Sequence, residues 1–471
     1  MSISTGKDTF IICRNSQGSE FRATILRLTR YTVVFEIYNP YSIIQLSEVL
    51  TDFKMIMSDR MVYSGRAVVS NLLNTGILLV CECTLEDDWL DVNFFTSIHQ
   101  KEKLPNEFAE FLKEWQKIQQ ISKDLKVIVA DMQTFLLDLR RWLEQVELSI
   151  RSEPSADRNL LERDVIEQLR EPITPSVTTL FEQFEETVSK IPFEEQSIHR
   201  SYSRRQMHPI ILCSPFVYRS FQKPLGYAGD YEMVNMMLRD PFEGSSLFAK
   251  IVNLWFVNAP PCLAHRNRIK YLVRCLNEET QRVIREKRSL RVLDMACGPA
   301  KEVQNFLIQD DLCEKAEFTL YDFNDETLTY TGKTLEEIKR LHRRGTPIKM
   351  VKRSVNHILK ETFKPSVPKP EEEFDFIYCA GLFDYLEDRI CRKLLDYFYS
   401  LLAPGGLLLS TNVTPNNPFI KTMESFMEWH LIYRSQEQML TLKPAAAPEG
   451  SAVVKADDTG VNIFLEVRKP K

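Results

Sequence analysis

The sequence has little glycine where a nucleotide loop would want it. Of 15 glycines in 471 residues, only Gly298 falls in the stretch RVLDMACGPAKEV, residues 291–303. Ala296 and Ala300 stand where a GxGxxG fingerprint would be sought, which weakens a dinucleotide ligand and its pyrophosphate. Long apolar runs are lacking as well. None approaches the roughly 18–20 residues a membrane span needs, and the start, MSISTGKDTF, has no apolar leader stretch. The net charge of −5 recommends no polyanionic partner such as nucleic acid. The ten cysteines include no metal-like pair of CxxC units. Cys81 and Cys83 share a face if they lie on a strand, but they lack clustered partners for zinc. Buried free thiols in a reducing compartment are the plainer account. The expectation is a soluble, cytoplasmic chain without a metal, its 44% hydrophobic residues dividing among two to four domains.

What is present falls into three regions. Residues 1–104 are rich in strand-like stretches (FIIC, FRATILRL, TVVFEIY, FKMIM, GRAVVSNL and GILLVCEC) with recurring turn signals, which predicts a small β-barrel or sandwich. The strand order resembles a PilZ-type barrel. That family binds a cyclic dinucleotide through an RxxxR motif and D-x-S-x-x-G. Here the nearest match is RLTRYT, Arg27 to Thr32, with arginine for the aspartate and threonine for the serine and the glycine. No cyclic-dinucleotide binding in the family's manner is expected, and packing or partner contact is the role left for the barrel.

From residue 105 to 199 the period turns helical. Ile118, Ile121, Leu125, Ile128, Met132, Phe135, Leu139, Trp142 and Val146 alternate spacings of three and four, as a coiled-coil seam does. Val129, Leu136, Leu143 and Leu148 widen the stripe toward a bundle core. Two further amphipathic segments, NLLERDVIEQLR and VTTLFEQFEETVSKI, are set off by breaks at Pro154 and at Pro172/Pro175. A bundle within the chain and a homodimer through the 115–149 helix both satisfy this pattern.

Residues 200–471 divide into cap helices (200–285) and a core (286–471) that alternates strand and helix: LRVLDMA, EFTLYDF, IKMVKRS, FDFIYCA and GLLLSTNV. Such alternation predicts a doubly wound α/β sheet, with its ligand beyond the carboxyl ends of the strands. CGPAKEV then turns from strand one into a helix, with small residues so that a ligand can approach the main chain. Asp322 ends the second strand and suits two ribose hydroxyls.

These residues resemble class I S-adenosylmethionine-dependent methyltransferases over about 200–471. The resemblance implies a Rossmann-like, seven-stranded sheet and S-adenosylmethionine as cofactor. It assigns the corner Asp294, Ala296 and Gly298 to the methionine part and Asp322 to the ribose, with Cys297 and Phe323 as further cofactor contacts. Ser354 and Val355 flank the adenine, and Cys379, Ala380 and Gly381 lie under the sulfonium. Pro404-Gly405-Gly406 is the turn before strand five, and the closing strand is the antiparallel seventh.

The segment FQKPLGYAGDYEMVNMM (221–237), with CGPAKEV and MEWHLIYRS, resembles a narrower bacterial group that makes the methyl ester of 3-hydroxypalmitic acid, a secreted signal. The implied acceptor is the carboxylate of a hydroxy fatty acid. Trp429, His430, Tyr433 and Arg434 lie at helical spacing, so that His430, Tyr433 and Arg434 share a face. Arg434 is the candidate carboxylate clamp. Tyr227 or Tyr231 closes from the upstream loop, and Tyr231 is also a candidate cofactor contact. Met423, Phe426 and Met427 are candidates for an acyl channel or for sheet packing. Arg266 and Arg268 either form a solvated helix face or meet the cofactor's carboxylate. Asp230 is either a helix cap or part of the site. A methyltransferase with another small acceptor, or a non-catalytic signalling protein that binds the cofactor, are the alternative functions.

Overall fold

The computed structural model describes residues 9–16, 18–29, 31–37, 44–57, 60–74, 79–85, 120–153, 157–309, 311–362 and 373–471. The boundary expected near 104/105, the seam position Ile118, Arg30 of RLTRYT and the break at Pro154 lie outside the described residues.

The six N-terminal stretches become six strands: β1 (Thr9–Arg14), β2 (Glu20–Leu28), β3 (Thr32–Ile37), β4 (Val49–Met57), β5 (Arg60–Asn74) and β6 (Leu79–Leu85). They close into an antiparallel barrel in the order β1-β2-β3-β6-β5-β4. Alternate residues point inward, as the period of a pleated strand requires: Phe35, Phe53 and Tyr63 meet in the interior. Cys81 and Cys83 lie there too, and burial pushes both thiols up.

The helical region packs upon itself. Helix α1 (Lys123–Ser152) lies against α2 (Arg158–Ser189), α3 (Phe193–Ile211) and the later cap helix α6 (Leu247–Val257). Its buried stripe is Leu125, Ile128, Val129, Met132, Leu136, Leu143 and Ile150, the wider face of a bundle rather than a strict seam. Trp142, a seam position by spacing, is 47% exposed. The break expected at Pro172/Pro175 is absent, because α2 runs through both prolines. Between the two prolines Thr174 Oγ1 donates to the Arg170 carbonyl at 2.6 Å.

Helices α4 (Pro215–Gln222), α5 (Tyr231–Leu238), α6 and α7 (Pro260–Ile284) cap a seven-stranded sheet. Its strands are β7 (Leu290–Met295), β8 (Ala316–Asp322), β9 (Ile348–Lys352), β10 (Phe374–Cys379), β11 (Leu402–Val413), β12 (Ala452–Ala456) and β13 (Asn462–Arg468). The order is β12-β13-β11-β10-β7-β8-β9, with β7 to β11 parallel and β13 antiparallel to both neighbours. The helices between and after these strands are α8 (Lys301–Gln309), α9 (Asp325–His342), α10 (Val355–Thr362), α11 (Asp388–Ser400), α12 (Ile420–Phe426) and α13 (Gln436–Leu440). Strand order reverses between β7 and β10, so a crevice opens at their carboxyl ends. Pro404-Gly405-Gly406 does not precede β11 as expected. It bulges within the strand, since Phe374 pairs with Leu402 and Phe376 with Leu407. Among the described residues, no single helix is long and apolar enough to cross a membrane.

Candidate functional site

At the crevice the chain leaves β7 through a corner in which Ala296, Gly298 and Ala300 all take left-handed conformations, with φ of 61°, 51° and 48°. For alanine this costs roughly 1 kcal/mol or more per residue, so the corner is held from outside. Cys297 N donates to the Tyr321 carbonyl at 3.0 Å, and Thr331 Oγ1 donates to the Gly298 carbonyl at 2.7 Å. A side chain at Gly298 would meet nothing within 4 Å. That open space belongs to a cavity of about 200 Å³.

The cavity wall gathers most of the expected cofactor residues. Asp294, Ala296, Cys297 and Gly298 line it from the corner, and Asp322, Phe323, Ser354 and Val355 from the ends of β8 and β9. Ala380 and Gly381 follow β10 into it, whereas Cys379 is wholly buried one step below. Asp322 is 5% exposed. It accepts from Asn324 N at 2.9 Å and Gly298 N at 3.2 Å. Burial outweighs these amides and pushes its carboxyl up to about 6.

Asp294 forms the second acidic point. Its Oδ2 is buried and has no hydrogen-bond partner among the described residues. Glu302 lies beside it and accepts from Tyr378 Oη at 2.9 Å. Burial first, then their mutual repulsion, push the Asp294 carboxyl well up. Two buried carboxyls this close do not both ionise readily, so a ligand ammonium here would replace a proton. Across the cavity stands Arg268, whose Nη2 lies 2.9 Å from His265 Nδ1. A side chain at Gly381 would run into that guanidinium. Arg266 is turned away and donates to the Met237 and Val257 carbonyls and to Asn258.

The upstream loop enters the same cavity. Asp230 caps α5 by accepting from Met233 N at 2.9 Å and takes a two-pronged contact from Arg219. The cap holds Tyr227 and Tyr231 in the wall. The Tyr227 ring lies 5.1 Å from Phe323, its phenol pushed up by burial. Tyr231 donates to Glu326 at 2.9 Å and stacks on Tyr330.

The acceptor group expected from MEWHLIYRS does not assemble. Helix α12 ends at Phe426, and Glu428 follows with φ of 48°, so residues 428–435 run without helical structure and the i,i+4 face is lost. Arg434, 2% exposed, spends its donors inside the protein. Nε donates to Asp388 at 2.9 Å, and the other two nitrogens to the Phe383 and Leu386 carbonyls and Asn412 Oδ1. His430 is buried outside the cavity wall, and burial with Arg200 and Lys223 nearby holds its imidazole well below the usual range. Tyr433 is likewise buried away from it. Trp429, Met423 and Met427 do reach the wall, while Phe426 stacks on Phe184 in the bundle core. Spacing alone missed Tyr385, whose hydroxyl accepts from Trp429 Nε1 at 2.9 Å.

Residues 265–447 match the family model described as a methyltransferase domain. No curated protein matches the chain. Among solved structures it is similar to the N-methyltransferase NodS from Bradyrhizobium japonicum WM9 in complex with S-adenosyl-L-homocysteine. That likeness has 15% identity, 54% of this chain and 100% of that one covered, and a TM-score of 0.32. It is also similar to an O-methyltransferase family protein from Burkholderia thailandensis, at 12% identity, 57% and 72% coverage and a TM-score of 0.32. The sequence is thus similar to a methyltransferase domain over residues 265–447, a span that takes in most of α7 and most of the sheet.

Proposed function

We propose that the protein binds S-adenosylmethionine and transfers its methyl group to the carboxylate of an apolar acid, such as a 3-hydroxy fatty acid, giving a methyl ester. One observation carries the cofactor reading: a single cavity at the strand ends holds both Asp322 and the unpartnered, buried Oδ2 of Asp294. Asp322 suits two ribose hydroxyls. Asp294 suits the ammonium of the methionine part and Arg268 its carboxylate, while Ser354 and Val355 flank the base. Tyr231 closes over this end from the cap loop.

When bound, the cofactor supplies a sulfonium methyl that a carboxylate oxygen takes by in-line displacement, the C–S bond electrons returning to sulfur. A carboxylate is ionised near neutral pH, so no residue need remove a proton. What the chain supplies is alignment and exclusion of water. Apolar wall from Met423, Met427, Trp429 and Leu431 suits a hydrocarbon chain. His430, Tyr433 and Arg434 are assigned no contact with the acceptor, and Tyr227 is kept as the aromatic closing residue.

The test is incubation of the full chain with methyl-labelled S-adenosylmethionine and a bacterial lipid extract, with labelled products resolved by mass. A base-labile labelled product is expected. A base-stable product excludes an ester, and no labelled product excludes the acceptor class.

A further inference from the structure

The barrel is separated from the sheet by more than a hundred residues of sequence, yet it reaches the cavity. Gln45 and Leu46, from the segment leading into β4, are part of the cavity wall. This segment is fixed on both sides. Glu48, 2% exposed, accepts from Ser16 N at 2.7 Å, Ser16 Oγ at 2.6 Å and Gln45 N at 2.8 Å. Ser47, held at a φ of 61°, donates through Oγ to the His430 carbonyl at 2.9 Å and accepts from His430 N. Val49 N donates to the Gly226 carbonyl at 2.6 Å.

Two of these anchors adjoin cavity residues. His430 lies between Trp429 and Leu431, and Gly226 directly precedes Tyr227. Tyr385, the hydrogen-bond partner of Trp429, packs against the barrel core as well as the helical core. Gly226 itself, at a φ of 85°, packs closely on the barrel, since a Cβ there would lie 3.1 Å from Ser16 Cβ. The apolar wall is therefore held from the barrel side by the Ser47 hydroxyl and the cap loop by a main-chain bond from Val49.

We propose that Gln45 and Leu46 are specificity-determining residues: the barrel completes the acceptor end of the cavity and sets the size of acceptor that fits. The inference rests on the cofactor reading above. It makes the barrel part of the catalytic cavity rather than an appended module. Leu46 supplies apolar wall, so enlarging it shortens the space for a chain and trimming it lengthens that space. Neither change touches Asp322 or the corner, so cofactor affinity stays the same.

The experiment uses the full chain with Leu46→Trp and Leu46→Ala, methyl-labelled S-adenosylmethionine and a series of straight-chain saturated fatty acids. Leu46→Trp is expected to move the preferred chain length down and Leu46→Ala to move it up, with unchanged cofactor Kd. An unmoved profile in both variants overturns the proposal. A second measurement does not depend on turnover. With the exposed Cys213 replaced by serine, a nitroxide attached to Leu46→Cys is expected to broaden the methyl resonance of bound ¹³C-methyl S-adenosylmethionine, whereas one on Trp142→Cys is not. Cofactor that binds without broadening from position 46 overturns the proposal. Failure of the unsubstituted chain to bind cofactor takes both readings down, and is told apart by that control.

Discussion

Asp322 concentrates the chemistry of the site in one side chain. Its carboxyl is pushed up to about 6 by burial, above the ordinary carboxylate range, and a ribose pair of hydroxyls wants it ionised. Cofactor affinity should therefore fall as pH drops through about 6, by roughly tenfold per pH unit. Titration calorimetry between about pH 5 and pH 8 checks this, and Asp322→Asn should give a weak, flat profile over the same range. Stability of the ligand-free protein runs the other way. A carboxyl raised on folding contributes stability below its unfolded pKa, and that contribution is lost as pH rises through the folded value. The strand-end positions of Asp294 and Asp322 were both legible from the sequence, because an acid closing an apolar stretch is a local signal. The misassignment of Arg434 was not avoidable locally. Four protein acceptors around one guanidinium come from β11, Asp388 and the turn after β10, and no spacing rule brings those together.

Elements were read best where their period was long and regular. The five parallel strands and the six barrel strands each coincide with an apolar stretch bounded by turn residues. Besides the turn found inside β11, two elements departed from expectation for identifiable reasons. The segment 428–435 has helical spacing of its polar residues, yet its main chain is bound elsewhere: Arg434 N donates to Val413 O at 3.1 Å and Ile432 N to Asp384 O at 2.7 Å. Tertiary bonds thus override a weak local pattern. Helix α2 continues through Pro172 and Pro175 because Phe181, Phe184 and Val188 beyond them are buried in the helical core. An interior proline removes a helix bond and crowds the preceding turn. Pro172 is exposed, so Pro172→Ala should stabilise the protein by about 1–3 kcal/mol. Chemical denaturation followed by helical circular dichroism measures it, and a destabilised variant would mean that the proline shapes a bend the bundle needs.

Across the whole molecule, the barrel and the sheet are joined through a buried charge. Glu428, 3% exposed, pairs with Arg66 of β5 at 3.2 Å and with Arg204 of α3. Lys223 Nζ donates to the Met427 carbonyl at 2.7 Å beside them. Removing the shared carboxylate from a buried cluster costs about 3–5 kcal/mol. Glu428→Gln should therefore loosen the barrel's docking before it unfolds either part. Limited proteolysis should cut the variant faster than the unsubstituted chain, while the sheet persists by circular dichroism. Equal protease resistance would show the docking to rest on its other contacts. This joint was invisible in the sequence, since Arg66 and Glu428 are separated by most of the chain.

The central claim is that the crevice beneath Gly298 holds S-adenosylmethionine through Asp322. Equilibrium binding of S-adenosylmethionine to the full chain, beside Asp322→Ala, tests it most directly. The predicted result is one saturable site in the unsubstituted chain, lost in Asp322→Ala with an unchanged circular dichroism spectrum. No binding to the unsubstituted chain, or the same affinity in both, would contradict it.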